Sequence, residues 1–174
     1  MTPEPQIALR PYGEGDFELL QATLGDPEMT RFLGGPESAE KLQQRHERYL
    51  ALRNSEWERM FVILAGAQRA AAGTIGYWEH EHQGEAAWET GWSVLPAFQQ
   101  QGLATRATLA VIDLLRADGR RRSVYAFPTV ENLASNAICR KAGFTLEGVS
   151  DYEYPKGNPI RCNIWRLDLQ ANKS

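Results

Sequence analysis

The chain has 174 residues, a formal net charge of −3, and 43% hydrophobic against 24% charged residues. That length suits one compact domain spanning 1–174, and the composition argues against disorder. The balance of 19 basic and 22 acidic residues points away from nucleic acid. No apolar run approaches the roughly 20 residues that span a membrane.

The elements follow in chain order. Ile7–Arg10 reads as a strand closed by Pro11. Asp16 is a helix cap before Phe17, Leu19, Leu20 and Leu24, and Gly25 and Pro27 end that helix. Ser38 caps a second helix to about Arg53, with Leu42, Arg45 and Tyr49 on one face. The period then changes. Met60–Leu64, Thr74–Trp78 and Ala86–Val94 read as an antiparallel meander, with a hairpin turn at Ala65–Gln68. Helical period returns from Gln101 to about Asp118, where Leu103, Ala107, Val111, Leu114 and Leu115 share a face.

Arg120-Arg121-Arg122 reads as a solvated turn before a strand at Ser123–Phe127. Leu133–Ala142 is a short helix stopped by Gly143. Two final strands, Phe144–Tyr154 and Arg161–Leu169, are joined through Lys156-Gly157-Asn158-Pro159. This order predicts an α+β domain with helices on both faces of a central mixed sheet, its Ala86–Phe127 crossover being parallel.

Cys139 and Cys162 lack metal-ligand spacing, so two free thiols in a reducing cytoplasm and no metal are expected. Met1–Arg10 has no basic region followed by an apolar stretch, so no signal peptide is expected.

The segment Val94–Thr105 joins a strand to a helix with small residues at the helix start. Amides of a first helical turn lack internal partners and carry the positive end of the helix dipole, which suits a phosphate. Gly-Lys-Ser/Thr and the triple-glycine dinucleotide pattern are both absent there.

Gln99-x-x-Gly102-x-Ala104, preceded by Val94-x-Pro96, resembles the Gln/Arg-x-x-Gly-x-Gly/Ala signature of the GNAT superfamily of N-acetyltransferases. Asn132-x-x-Ser135 followed by Gly143-Phe144-x-Leu146-Glu147-Gly148 is similar to its RimJ/RimL branch, the ribosomal-protein N-terminal acetyltransferases. The resemblance implies a GNAT-like, mostly antiparallel sheet of about seven strands. It implies acetyl-CoA as acyl donor. Gln99, Gln100, Gln101, Gly102, Leu103, Ala104 and Thr105 would hold the pyrophosphate, and the main chain of Val94 and Leu95 would pair with pantetheine. Gln100 stands where many relatives carry glycine.

Asn132 reads as a helix cap and, by resemblance, as a CoA contact. Cys139 occupies the usual place of a tyrosine acid, and a thiol there is a poor proton donor. Ser135 is therefore the candidate to assist the departing thiolate, with Tyr152 and Tyr154 as alternatives.

An amine attacks a thioester only when neutral, so a base is needed. Glu89, in Trp88-Glu89-Thr90-Gly91-Trp92, resembles the Glu-x-Gly-aromatic segment of RimJ/RimL-like chains and is the first candidate. Trp88 and Trp92 could desolvate it, although strand parity sets Glu89 apart from Trp92 unless a bulge intervenes. Glu79, His80 and His82 are secondary candidates, the histidines being expected at an exposed hairpin end. The Val94 amide is the candidate oxyanion donor. Trp78, Trp88 and Trp92 are candidate acceptor contacts.

The function implied is acetyl transfer to a primary amine, on a small molecule or a protein N-terminus, in the cytoplasm, by a monomer or homodimer. No nucleic-acid or membrane partner is expected. The alternative is a catalytically silent acyl-CoA-binding module of the same fold.

Overall fold

A computed structural model describes residues 6–171. The expectation of no signal peptide rests on Met1–Arg10, of which residues 1–5 lie outside the described residues.

Seven strands form one sheet in the order β1-β2-β3-β4-β5-β7-β6. They are β1 (Ile7–Pro11), β2 (Arg59–Ala65), β3 (Ala70–His82), β4 (Glu85–Val94), β5 (Ser123–Ala126), β6 (Thr145–Glu153) and β7 (Pro159–Asp168). Every neighbouring pair is antiparallel except β4 and β5. The helices are α1 (Phe17–Leu24), α2 (Ala39–Ala51), α3 (Leu103–Asp118) and α4 (Leu133–Lys141).

The helices divide between two cores. Leu103, Ala107, Val111, Ile112 and Leu115 of α3, with Cys139 and Ala142 of α4, pack on Ile63, Ile75, Trp88 and Val94. Leu19 and Leu20 of α1, with Leu42 and Tyr49 of α2, pack on Val62 and Leu64 from the opposite side. The predicted α+β class and the helices on both faces are what the structure has.

Several local readings change. Leu114 is 46% exposed, and Thr108 and Ile112 complete the buried face of α3 instead. Pro11 belongs to β1, which a proline tolerates because β1 is an edge. Asp16 makes no side-chain cap on α1. Its carboxylate accepts from the Gly13 amide at 2.7 Å and from two Arg10 nitrogens at 2.7 and 2.8 Å. β3 is far longer than Thr74–Trp78, because β4 pairs with it without interruption from Gly73↔Val94 to His82↔Glu85. Gln83 and Gly84 close that hairpin with φ of +51° and +81°, the left-handed pair of a tight turn matching strand twist.

The Arg120–Arg122 turn is only partly solvated. Arg120 and Arg121 stack over Trp57 at 3.9 and 4.9 Å from its ring centre, and Arg121 pairs with Glu79 at 3.1 Å.

Candidate active site

The two parallel strands part company early. β4 and β5 pair only at Trp88–Val124 and Glu89–Tyr125, yet β4 continues to Val94. The Leu95 amide donates to Ala72 O at 2.8 Å. In an antiparallel ladder, alternate residues turn both backbone groups toward the same neighbour. Leu95, Ser93 and Gly91 therefore face β3, while Trp92 turns both its backbone groups, Thr90 its C=O and Val94 its N–H into the gap beyond the last β4–β5 pair. An extended ligand can pair there as an added strand. The expectation for Leu95 is corrected, since its amide is already bonded to Ala72.

At the head of the gap lies the loop into α3. Gln99 donates from Nε2 to Val94 O at 2.9 Å, bracing the loop against the strand. Gln101 donates to Ala97 O at 3.2 Å. Gln100 and Gly102 have φ of +61° and +76°. These two left-handed residues turn the chain sharply into the start of α3. The first bond of α3 runs from Arg106 N to Gly102 O at 3.1 Å, and no side chain caps the helix. The amides of Leu103, Ala104 and Thr105 are thus left without intrahelical partners. A Cβ at Gly102 would meet nothing within 4 Å, so its backbone angle, not crowding, calls for glycine. The left-handed Gln100 likewise explains why glycine suits that position. Free first-turn amides beside open strand backbone fit a diphosphate carrying a linear amide tail.

α4 begins beyond the carboxyl end of β5, as α3 does for β4, so both helix starts look onto the same opening. Asn132 caps α4, its Oδ1 accepting from Ser135 N at 3.1 Å. Ser135 is half-buried in the first turn. Burial pushes the Cys139 thiol up to about 12, so it stays protonated and packed in the core. Cys139 and Cys162 are both free and buried.

The register between β3 and β4 is regular, so no bulge re-aims Glu89. It faces away from Trp88, which is fully buried in the α3-side core, and from Trp92, which packs against that same core. The side chains of Trp88 and Trp92 therefore neither desolvate Glu89 nor share its face.

Its actual neighbours come from β3 and β5. Trp78 is its cross-strand partner, Tyr125 its partner on β5, and His80 Nδ1 lies 3.4 Å from its carboxylate. Burial raises the Glu89 carboxyl to about 7, against a hydrogen bond from Trp78 that lowers it. Burial and then His82 depress His80. His80 lies 5.0 Å from Phe127, and His82 lies 4.4 Å from Tyr125, ring centre to ring centre. Tyr125 and Phe127 stack at an interplanar angle of 3°, and Tyr152 meets Phe127 edge-on. The histidines do lie at the β3–β4 hairpin end, His82 directly before the turn, but there they are half-buried in an aromatic wall and not exposed. Glu79 points to the other side and pairs with Arg121.

Two contributors carried no signal in sequence. Phe127 joins the wall only because β5 delivers it beside β3. Asn136 is buried, donating to Thr129 O and Asn132 O at 2.9 and 2.8 Å. Its Oδ1 accepts from Asn163 and Trp165, both at 2.7 Å. It thereby ties the start of α4 to β7.

A model of the acetyltransferase (GNAT) domain matches residues 6–145. The chain belongs to the GNAT acetyltransferase family. This GNAT chain is 27% identical over 166 residues to the uncharacterized N-acetyltransferase YoaA of Bacillus subtilis (strain 168), covering 93% of each protein. It superposes on the ribosomal L7/L12 α-N-protein acetyltransferase RimL in complex with coenzyme A, with a TM-score of 0.79 at 25% identity, covering 95% and 96% of the two chains. The spermidine N-acetyltransferase of Vibrio cholerae, in complex with CoA and spermine, shares the fold at a TM-score of 0.78 and 19% identity, covering 94% and 96%. The GNAT chain is a RimJ/RimL-like N-acetyltransferase, and its acyl donor class is acetyl-CoA. No helix among the described residues is long and apolar enough to cross a membrane.

Proposed function

We propose that the whole chain acts as one cytoplasmic catalytic domain that transfers acetyl from acetyl-CoA directly to a primary amine in a ternary complex. The observation that carries this reading is a desolvated Glu89 beside an unpaired stretch of β4 that leads to the free first-turn amides of α3. A silent CoA-binding module would have no use for a half-buried, desolvated carboxylate on this face of the sheet.

The amides around Gln99–Thr105 hold the pyrophosphate, and the free main-chain groups of Thr90 and Trp92 pair with the pantetheine arm, which leaves the Val94 N–H for the thioester oxygen. Asn132 sets the start of α4 and contributes to the same opening. The amine loses its proton to Glu89, and His80 is the next acceptor at 3.4 Å. The neutral amine attacks the thioester carbonyl, the Val94 N–H receives the developing oxyanion, and Ser135 donates toward the leaving sulfur.

Magnitudes bear on the acceptor. An α-ammonium has a pKa near 8 and an alkylammonium near 10.4. Against a base at about 7, proton transfer is uphill by about 1.4 kcal/mol for the first and about 4.6 kcal/mol for the second. A protein or peptide N-terminus is therefore favoured over a free alkylamine. Trp78, which shares the face of Glu89, contacts the acceptor.

The test is an acetyl-CoA consumption screen across N-terminal peptides, simple amines, polyamines and aminoglycosides. Peptide turnover above the others supports the reading. Calorimetry showing no coenzyme A binding overturns it.

A further inference from the structure

A concavity lies on the same side of the sheet as Glu89. It has a volume of about 650 Å³ and is walled by the segment after α1, the start of α2 and the turn between β6 and β7. The walls are docked on each other. Gly34 sits at φ +84°, where a Cβ would lie 2.6 Å from Pro155 Cδ, so only glycine lets the segment seat on the turn.

The lining is basic. Lys41, Arg45, Arg48 and Lys156 face it, against the single carboxylate of Glu37. Arg45 is bonded to Glu37, and Arg48 to Glu58 at 2.9 Å. Lys41 and Lys156, on opposite walls, form no ion pair among the described residues. Ser38 caps α2 at the same wall, so the positive end of that helix also faces the space. In a chain of net charge −3 this is a local reversal of sign.

The concavity adjoins the aromatic wall where β6 runs into its turn. Tyr152 packs on Phe127, while Tyr154, two residues on, lines the concavity with its hydroxyl 3.5 Å from Arg45. Contacts run from Glu89 to His80 at 3.4 Å, from His80 to Phe127 at 5.0 Å and from Phe127 to Tyr152 at 5.8 Å, so the residues that follow an amine held at Glu89 can extend along this wall toward the concavity.

We propose that this basic concavity is an acceptor subsite for acidic side chains, so that the enzyme selects N-terminal peptides carrying carboxylates a few residues after the amine and rejects polycations. This inference rests on the acetyl-transfer reading above and names its substrate class.

The experiment uses hexapeptides alike in their first two residues, with Glu/Asp, Gln/Asn or Lys at positions three to six. Steady-state kinetics are measured for the wild type and for the exposed double variant Lys41→Glu/Lys156→Glu. The acidic peptide should have a KM at least tenfold below that of the neutral one, with similar kcat. The double variant should erase that advantage and improve the lysine peptide, leaving the KM for acetyl-CoA unchanged. Equal KM values for all three peptides in the wild type would overturn the subsite, as would a double variant that shifts all three alike. Turnover of polyamines or simple amines without any peptide would overturn the subsite and leave acetyl transfer standing. No coenzyme A binding and no turnover of any amine would remove both.

Discussion

Replacing Glu89 by Gln separates the cost of the half-buried carboxylate from its use. In the folded chain its carboxyl titrates at about 7, against an ordinary value of 4.5. A difference of 2.5 units corresponds to about 3 kcal/mol. The sign follows from proton binding. Between those two values the folded state holds the proton more tightly than the unfolded state, so folding stability falls as pH rises through the window. The wild type should lose about 3 kcal/mol from this group between pH 4.5 and pH 8, and Glu89→Gln should not. At pH 8 the variant should be the more stable protein, by about 2–4 °C in Tm for each kcal/mol. Its kcat should fall by roughly 10²–10⁴, with acetyl-CoA affinity retained. The wild-type kcat/KM should rise with pH through about 7, and that limb should vanish in the variant. Urea unfolding at pH 5 and pH 8 reads the stability difference, and thiol release across the same range reads the rate. A variant that matches the wild type in both would refute a desolvated catalytic base at this position.

Three further outcomes are expected. Gly102→Glu forces a side chain into a left-handed backbone and brings a carboxylate to the first-turn amides of α3, so coenzyme A affinity should fall at least tenfold by calorimetry. Unchanged affinity would exclude the loop. Ser135→Ala should lower kcat with little change in KM for acetyl-CoA, and a full rate of thiol release would remove its role. Asn136→Leu would orphan Asn163 Nδ2 and the Trp165 indole N–H, at about 1–3 kcal/mol each, so the urea midpoint should drop sharply. A midpoint within error of the wild type would contradict the account of that network.

The helices and strands were legible because their signals are local. The buried faces of α2 and α3 follow helical spacing, and only Leu114 left its predicted face. The helix start at Gly102 was legible too, since small residues after a strand mark a turn and the motif resembles a family signature. The neighbours of Glu89 were another matter. Parity alone separated it from Trp92, but nothing local ruled out a bulge, and only the uninterrupted β3–β4 register did so. Likewise, the hairpin-end address of His80 and His82 was legible, but their half-burial there depended on Tyr125 and Phe127, which β5 delivers.

The sequence by itself determined the class of fold, the order of elements and the place of the strand-to-helix loop before α3, because periodicity, breakers and helix-start chemistry act over a few residues. Tertiary structure alone decided which side chains surround Glu89, that β4 and β5 diverge after two paired positions, and that Lys41 and Lys156 line one concavity. Those facts arise from pairing and packing between segments far apart in the chain, where the energy lies in a geometry that no local pattern encodes.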